Sequence, residues 1–417
     1  MINLNLNKTI TIIILCIEYI LSILKKTSIY NGFIFLLLIV IGYHIIIFFI
    51  RDRKYINAFN EYRDPEFVSI NDLEEIPLIN FIIPAWKEEK TLKECLSSIL
   101  NLKYPKVRVI LNAGGKKETI QIANSFSKYE NFKILEQKLG GKLKAINECF
   151  PYVSEGCIYL IDADVVISDE ILLRMLLPIT NYKEFVVVGH SRPLKSQLKS
   201  DLVKYLFITQ NLFFRMKFSR YGFNMVSGPN TLLKYEVIKA IDRFSVDSIY
   251  SVEISQGRDI ISKGFKIYSL TECRGKIFIH LPNKIKIWIK QKIRWTENSI
   301  VFQYKHNKIK LLNFIILFLL SLYLIIFPIL FYFHIGFLLI AILIFFSLYL
   351  KKIRRIMYYR FTTKKENLLK LNVGFFFKIA FYIYIEVLIN VYVFFEMMLF
   401  GSKGLKKRKN LIKLNAN

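Results

Sequence analysis

Five short stretches hold residues whose types and spacing could do chemistry. The first closes an apolar run with Pro84-Ala85-Trp86-Lys87-Glu88-Glu89. A strand ending at Pro84 would put these residues at its carboxyl end, where open α/β sheets bind ligands. Trp86 there offers a face to a nucleotide base or bulk to a core. The second is Gly140-Gly141-Lys142-Leu143-Lys144-Ala145-Ile146-Asn147. Its glycines permit close backbone approach, and Lys142 stands at a helix start, which suits a diphosphate. The third is the run Ile158–Ile161 into Asp162-Ala163-Asp164. Carboxylates at the edge of a buried strand are costly unless solvated or holding a cation, and alternate aspartates can hold Mg2+ or Mn2+ together with substrate phosphates.

The fourth is Glu253, on a helix predicted to end at Gly264. Such a carboxylate could serve as general base toward an acceptor hydroxyl or simply be a solvated helix residue. The fifth is Gln291-Lys292-Ile293-Arg294-Trp295. On a helix, Gln291, Arg294 and Trp295 share one face. The lysines and Trp288 around them read as an amphipathic helix at a membrane surface.

These stretches need elements to position them. Runs at Ile79–Ile83, Val107–Leu111, Lys133–Leu135, Ile158–Ile161 and Val186–Val188 read as buried strands. Thr91–Leu100, Glu118–Ser127 and Leu143–Phe150 read as helices between them. The alternation predicts an α/β domain with a mostly parallel sheet. Outside it lie apolar segments at Thr9–Leu24, Ile29–Ile50, Leu311–Phe333, Ile335–Leu350 and Val373–Phe400. A span needs roughly 20 residues. The last segment carries Lys378, Glu386 and Glu396, which call for tilt, a cavity or an interfacial position.

The formal net charge is +28, and much of it abuts apolar runs: Lys25-Lys26, Arg51–Lys54, Lys351–Arg355 and Lys403–Lys409. That pattern implies membrane lipid headgroups as partners and a catalytic domain facing the cytosol. No nucleic-acid motif accompanies it, so nucleic acid is not an expected partner. The five cysteines are scattered, with no zinc or disulfide spacing. The first apolar run has no small-residue cleavage site and reads as a retained anchor.

Taken in order, the five stretches resemble the family-2 glycosyltransferases, closest to their membrane-bound branch of cellulose, chitin and hyaluronan synthases and glucosylceramide synthases. The resemblance runs from about Leu78 to Asn298. The family's P-A-Y-N-E-E stands as Pro84–Glu89, its G-K-x-x-A-L-N as Gly141–Asn147, and its D-x-D as Asp162–Asp164. An S-G-x-N-T element stands as Ser227–Thr231, and Q-x-x-R-W is complete at Gln291, Arg294 and Trp295. Two positions depart. The family's V-V-D-D-G-S stands as Ile110–Gly115, with Asn112 where an aspartate contacts uracil. The family's catalytic aspartate aligns, by spacing to Gly264, with Glu253.

The resemblance implies a nucleotide-sugar-binding, Rossmann-like α/β domain of the GT-A type with flanking transmembrane helices. It implies an inverting, multi-pass membrane glycosyltransferase, moving a sugar from a nucleotide-sugar donor, UDP-linked, onto a polysaccharide or lipid acceptor. Pro84, Trp86, Glu88, Asn112, Lys142 and Asp162 would bind the donor. Asp162 and Asp164 would hold Mg2+ or Mn2+, and Glu253, Gln291, Arg294 and Trp295 would serve catalysis. The expected organisation is two membrane helices in residues 1–50, the catalytic domain in 51–282 and the interface helix in 283–310. Two or three further membrane helices would fill 311–400, before a basic tail in 401–417. The alternative is a catalytically silent membrane scaffold subunit of a polysaccharide-assembly system.

Overall fold

The computed structural model describes residues 29–61, 65, 67–189, 191–211, 221, 225–246, 252–270, 277–306, 308–362, 369 and 371–414. The segment Thr9–Leu24, Lys25 and Lys26 lie outside them. The chain divides into two compact units. One comprises Met1–Asp52, Leu312–Arg354 and Ile379–Asn417, and the other Arg53–Leu311 and Arg355–Lys378.

The described strands are β1 (Ile79–Trp86), β2 (Val107–Gly114), β3 (Phe132–Gln137), β4 (Cys157–Leu160) and β5 (Val165–Val166). They continue with β6 (Val186–Val188), β7 (Ser191–Pro193), β8 (Thr231–Lys234), β9 (Tyr268–Ser269) and β10 (Ile277–Ile279). The α-helices are α1 (Ile29–Ile47), α2 (Arg53–Glu61), α3 (Leu92–Leu100), α4 (Lys117–Ser125), α5 (Lys142–Cys149), α6 (Asp169–Thr180) and α7 (Asp201–Leu206). After them come α8 (Tyr235–Ile241), α9 (Val252–Ser262), α10 (Ile285–His306), α11 (Lys308–Phe333), α12 (Ile335–Thr362) and α13 (Val373–Leu414).

The larger sheet has the order β3-β2-β1-β4-β8-β6-β9. Strands β3, β2, β1 and β4 run parallel, β8 is antiparallel to both β4 and β6, and β6 and β9 are parallel. The mostly parallel sheet expected from the alternation is present, with every expected strand and helix in place. The antiparallel β8 was not among the expected strands. A second sheet has the order β5-β10-β7.

Strand β1 is buried on both sides because helices cover both faces of the sheet. Phe81, Ile83, Val109 and Leu111 join a core with Leu92 and Leu96 of α3 and Leu172 of α6. Ile82 and Ile110 join another with Leu143 and Ile146 of α5 and Ile238 of α8. The period-two alternation of the strands sorts side chains between these cores, and α5 is thereby fixed with its first residue, Lys142, at the carboxyl ends of the strands.

Helix α10 belongs to this same unit. Trp288 is fully buried and meets Tyr205 edge to face at 6.0 Å between ring centroids. The sequence reading had placed Trp288 at a membrane surface. It instead anchors α10 within the α/β unit, where the large apolar area of the ring is removed from water against Tyr205.

In the other unit the helices are long and apolar. Among the described residues four helices are long and apolar enough to cross a membrane: Asn31–Asn57, Leu311–Phe333, Ile335–Phe361 and Val373–Leu399. Ile34, Phe35, Leu38 and Ile39 point outward, as a lipid-facing surface requires. Part of the basic run Lys351–Arg355 turns inward. Arg354 Nε donates to Asp52 at 2.7 Å, its Nη1 lies 3.0 Å from His44 Nδ1, and Lys352 Nζ donates to Glu386 at 2.7 Å. Pairing lets Glu386 sit in an apolar helix, since an isolated charge there would be far costlier.

Candidate active site

The candidate site is built at the carboxyl ends of β1, β2 and β4. Pro84 and Trp86 lie in β1, opposite Asn112 and Gly114 of β2. The Trp86 ring lies against two glycines. A Cβ added at Gly115 would come within 2.8 Å of it, and one at Gly140 within 3.2 Å. Gly115 also has φ +85, a conformation that favours glycine. Beyond Trp86 the chain turns sharply at Lys87, whose φ is 64. The Glu88 backbone N–H donates to Thr119 Oγ1 at 3.1 Å, and its carboxylate accepts from Thr91 Oγ1 at 3.3 Å. Burial, and less strongly the Asp162 charge, raises the Glu88 pKa against the pull of the Thr91 hydrogen bond.

Lys142 forms an ion pair with Asp162. Burial works against the lysine charge, but Asp162, Glu253 and Asp164 outweigh it and hold the ammonium above the usual lysine range. Asp164 is pushed up to about 7, first by burial, then by Asp162 and Glu88, with Lys142 acting the other way. Three carboxylates thus sit close enough to repel one another.

Glu253 lies in the first turn of α9, and its carbonyl accepts the Val226 N–H at 3.1 Å. A Cβ at Gly228 would lie 2.7 Å from Glu253 Oε1 and 3.2 Å from Lys142 Nζ. Gly228 therefore lets the acid and the ammonium approach over bare backbone. Thr231 Oγ1 fixes this turn, accepting the Ser227 N–H at 3.1 Å and donating to the Ser227 carbonyl at 2.6 Å. Gly228→Ala is expected to displace the Glu253 carboxylate. An ångström of misplacement can lower turnover by about 10²-fold, while circular dichroism and melting temperature should change little.

Asp259, the rival carboxylate on the same helix, is occupied elsewhere. It accepts the Ser245 N–H at 2.8 Å and the Ser245 hydroxyl at 3.1 Å, a structural role in holding Ser245.

The structure thus gathers Glu88, Lys142, Asp162, Asp164 and Glu253. It leaves Gln291, Arg294 and Trp295 on α10 without a hydrogen bond or ion pair to those carboxylates among the described residues. Arg294 and Trp295 are exposed, and Gln291 Oε1 is buried with no partner. The described residues contain no group of three or more metal-ligating side chains. Asp162 and Asp164 would fit a cation shared with a diphosphate, whose oxygens supply further ligands. A cavity of about 620 Å³ beside α5, lined by Lys144, Glu148, Tyr235 and Arg243 among others, includes none of these carboxylates.

Residues 80–242 match the family model for glycosyl transferase family 2. The chain carries a family-2 glycosyl transferase domain. A poly-beta-1,6-N-acetyl-D-glucosamine synthase of Staphylococcus epidermidis is 28% identical over 233 residues, 54% of this chain and 55% of the relative. The synthase of that name from Staphylococcus aureus is 23% identical over 237 residues, 55% of this chain and 56% of the relative. The chain thus spans about half the length of the curated relatives it matches. A solved mannosyltransferase from Pyrobaculum calidifontis, in complex with GDP-Man and Mn2+, aligns over 86% of this chain and 97% of its own. Its TM-score is 0.49 at 13% identity, too low to support an argument.

The family domain contains Trp86, Asn112, Lys142, Asp162 and Asp164, while Glu253 and α10 follow it. Two tryptophans on α10 can be told apart. Trp288→Ala should destabilise the α/β unit by about 3–5 kcal/mol, as loss of a fully buried ring does. Trp295, 38% exposed, should lose little stability on truncation. Calorimetry of both variants beside sugar-transfer assays checks this. Equal melting temperatures would show that the Trp288 packing is not the anchor described.

Proposed function

We propose that the chain is an inverting glycosyltransferase, transferring a sugar from a UDP-linked donor onto a polysaccharide or lipid acceptor at the membrane. The observation that carries this reading is the meeting of Glu253 and Lys142 over Gly228, with Asp162 paired to the same lysine. On this reading Glu253 is the base, Lys142 the phosphate-binding cation and Asp162 a metal-binding carboxylate. The relatives named as poly-beta-1,6-N-acetyl-D-glucosamine synthases favour an amino sugar and a polysaccharide acceptor.

In this mechanism Glu253 takes the proton of the acceptor hydroxyl as the acceptor oxygen bonds to the anomeric carbon. The bond between that carbon and the diphosphate oxygen breaks on the opposite side, so the configuration inverts. Lys142 neutralises charge on the departing diphosphate. Mg2+ or Mn2+ held by Asp162 and Asp164 would supply further Lewis-acid stabilisation of that leaving group. Pro84, Trp86, Glu88 and Asn112 frame the donor's nucleoside. Gln291, Arg294 and Trp295 keep their catalytic assignment from the family resemblance, with Arg294 assigned to phosphate charge and Trp295 to the acceptor.

The four apolar helices hold the domain at a bilayer, with its α/β unit on the cytosolic side. The proposed organisation is two membrane helices in residues 1–50, the catalytic domain in 51–282, the amphipathic interface helix with Q-x-x-R-W in 283–310, two or three membrane helices in 311–400 and a basic tail in 401–417. The test is nucleotide release by the full chain in nanodiscs, with UDP-N-acetylglucosamine, UDP-glucose and GDP-mannose as donors. Release with a UDP-sugar and a compatible acceptor supports the reading. No release from any donor, with the protein folded, would leave the scaffold subunit as the better account.

A further inference from the structure

Helix α3 packs on β5, the strand that directly follows Asp164. Its Leu92, Leu96 and Ile99 are core residues. Thr91, the residue that caps it, Cys95 and Ser98 fall at i, i+4 and i+7 and so share one face. All three bond to the candidate site or its supports. The Thr91 hydroxyl donates to the Glu88 carboxylate at 3.3 Å. Cys95 Sγ donates to the Asp162 carbonyl at 3.7 Å. Ser98 Oγ donates to the Cys95 carbonyl at 2.7 Å, and its lone pairs accept the Ile167 N–H at 3.2 Å.

The last two contacts fall at the two ends of one short stretch. Asp162 opens it, and the Asp162 carbonyl also accepts the Val165 N–H at 3.2 Å. Ile167 closes it, beyond Asp164 and β5. Ala163, between the two acids, is buried in the same core as Leu92 and Cys95. A third tie follows at once. The Asp169 carboxylate, at the start of α6, accepts the Lys103 N–H at 2.9 Å and the Tyr104 N–H at 3.1 Å, both from the chain just beyond α3. The stretch from Asp162 to Asp169 is therefore tied to α3 and its exit at three points. It also carries a strain of charge. Asp164 is buried beside the carboxylates of Asp162 and Glu88, and like charges at close range push a loop apart unless its backbone is restrained.

We infer that Cys95 and Ser98 are positioning residues: by fixing the backbone at Asp162 and Ile167 they keep the two aspartates together in the geometry that takes a divalent cation. The inference rests on the reading of Asp162 and Asp164 as metal ligands and adds what presets them. A thiol is a weak donor and a hydroxyl a full donor and acceptor, so Ser98 carries the larger share. Groups that hold metal ligands from behind are worth about 10–100-fold in metal affinity.

The experiment is calorimetric titration of Mn2+ into the full chain in nanodiscs at saturating UDP, beside melting curves without cation. Ser98→Ala removes the acceptor for Ile167 and should weaken Mn2+ binding by about 10–100-fold. Its turnover should recover toward wild type at saturating Mn2+, so that the defect lies in the metal requirement. Ser98→Thr keeps the hydroxyl and should restore the affinity. Cys95→Ala should shift Mn2+ affinity in the same direction by a smaller factor, and it carries the test if Ser98→Ala does not fold.

A Ser98→Ala protein that melts lower but binds Mn2+ as tightly as wild type overturns the inference, because the bond is then structural only. Equal weakening in Ser98→Thr does the same, since the hydroxyl would not be the group that matters. Failure of the wild type itself to bind Mn2+ in the presence of UDP is a different result: it overturns the assignment of Asp162 and Asp164 as metal ligands, and the inference falls with it.

Discussion

Asp164→Asn is expected to lower sugar transfer by at least about 10³-fold while leaving the protein folded. Metal stabilisation of a leaving diphosphate is worth several kcal/mol, and each 1.36 kcal/mol is tenfold in rate. The stability side follows from the carboxylate cluster. A carboxyl raised to about 7 by burial, Asp162 and Glu88 holds its proton more tightly in the folded state than in the unfolded chain. Wild-type stability from this group is therefore lost as pH rises from the usual aspartate range toward 7. Asparagine carries no charge, so at pH 8 without divalent cation the variant should melt no lower than wild type. Mn2+ with UDP should raise the wild-type melting temperature and not that of the variant. The measurements are nucleotide release with and without EDTA and melting curves of both proteins. Full activity in excess EDTA would remove the metal from the mechanism.

The second large effect is expected at Glu253. Glu253→Gln keeps the shape beside Gly228 but cannot accept a proton. Turnover should fall by roughly 10²–10⁴-fold, the scale of a lost general base, with UDP affinity little changed. Glu253→Asp should also be impaired, because the carboxylate withdraws by one methylene from the place where Gly228 makes room for it. Asp259→Asn gives the control. Asp259 accepts both Ser245 hydrogen bonds, so its loss should appear as lowered stability with transfer per folded molecule retained. Wild-type turnover in Glu253→Gln together with lost turnover in Asp259→Asn would exchange the two roles.

Much of the α/β unit was legible along the chain because its signals are local. Ile79–Ile83 and Val107–Leu111 are short apolar runs that became β1 and β2, although β1 continues past the expected end at Pro84 to Trp86, because β2 pairs with it that far. Asp162 and Asp164 end such a run, and Lys142 follows two glycines, so their place at strand ends follows from chain order. The antiparallel β8 was harder to read. Its four residues Thr231–Lys234 carry no periodicity of their own, and their strand state comes from pairing with β4 and β6. Trp288 was misjudged for a related reason. Alternating lysine and isoleucine describes a helix with one apolar side, without saying whether lipid or protein covers that side.

The sequence by itself determined the types of chemical group, their order and the parallel strands that carry them, since all of these depend on neighbours a few residues apart. Tertiary structure alone decided which groups meet. Lys142 and Glu253 are over a hundred positions apart and approach because Gly228 has no side chain. Asp259, only six residues from Glu253, is turned to Ser245. Asn112 is given one orientation by Ala145 and Glu148, thirty-three and thirty-six residues away. Arg354 turns inward because Asp52, 302 residues earlier, waits there buried. In each case the deciding term is a close contact or a desolvated charge, and both exist only once distant segments have packed together.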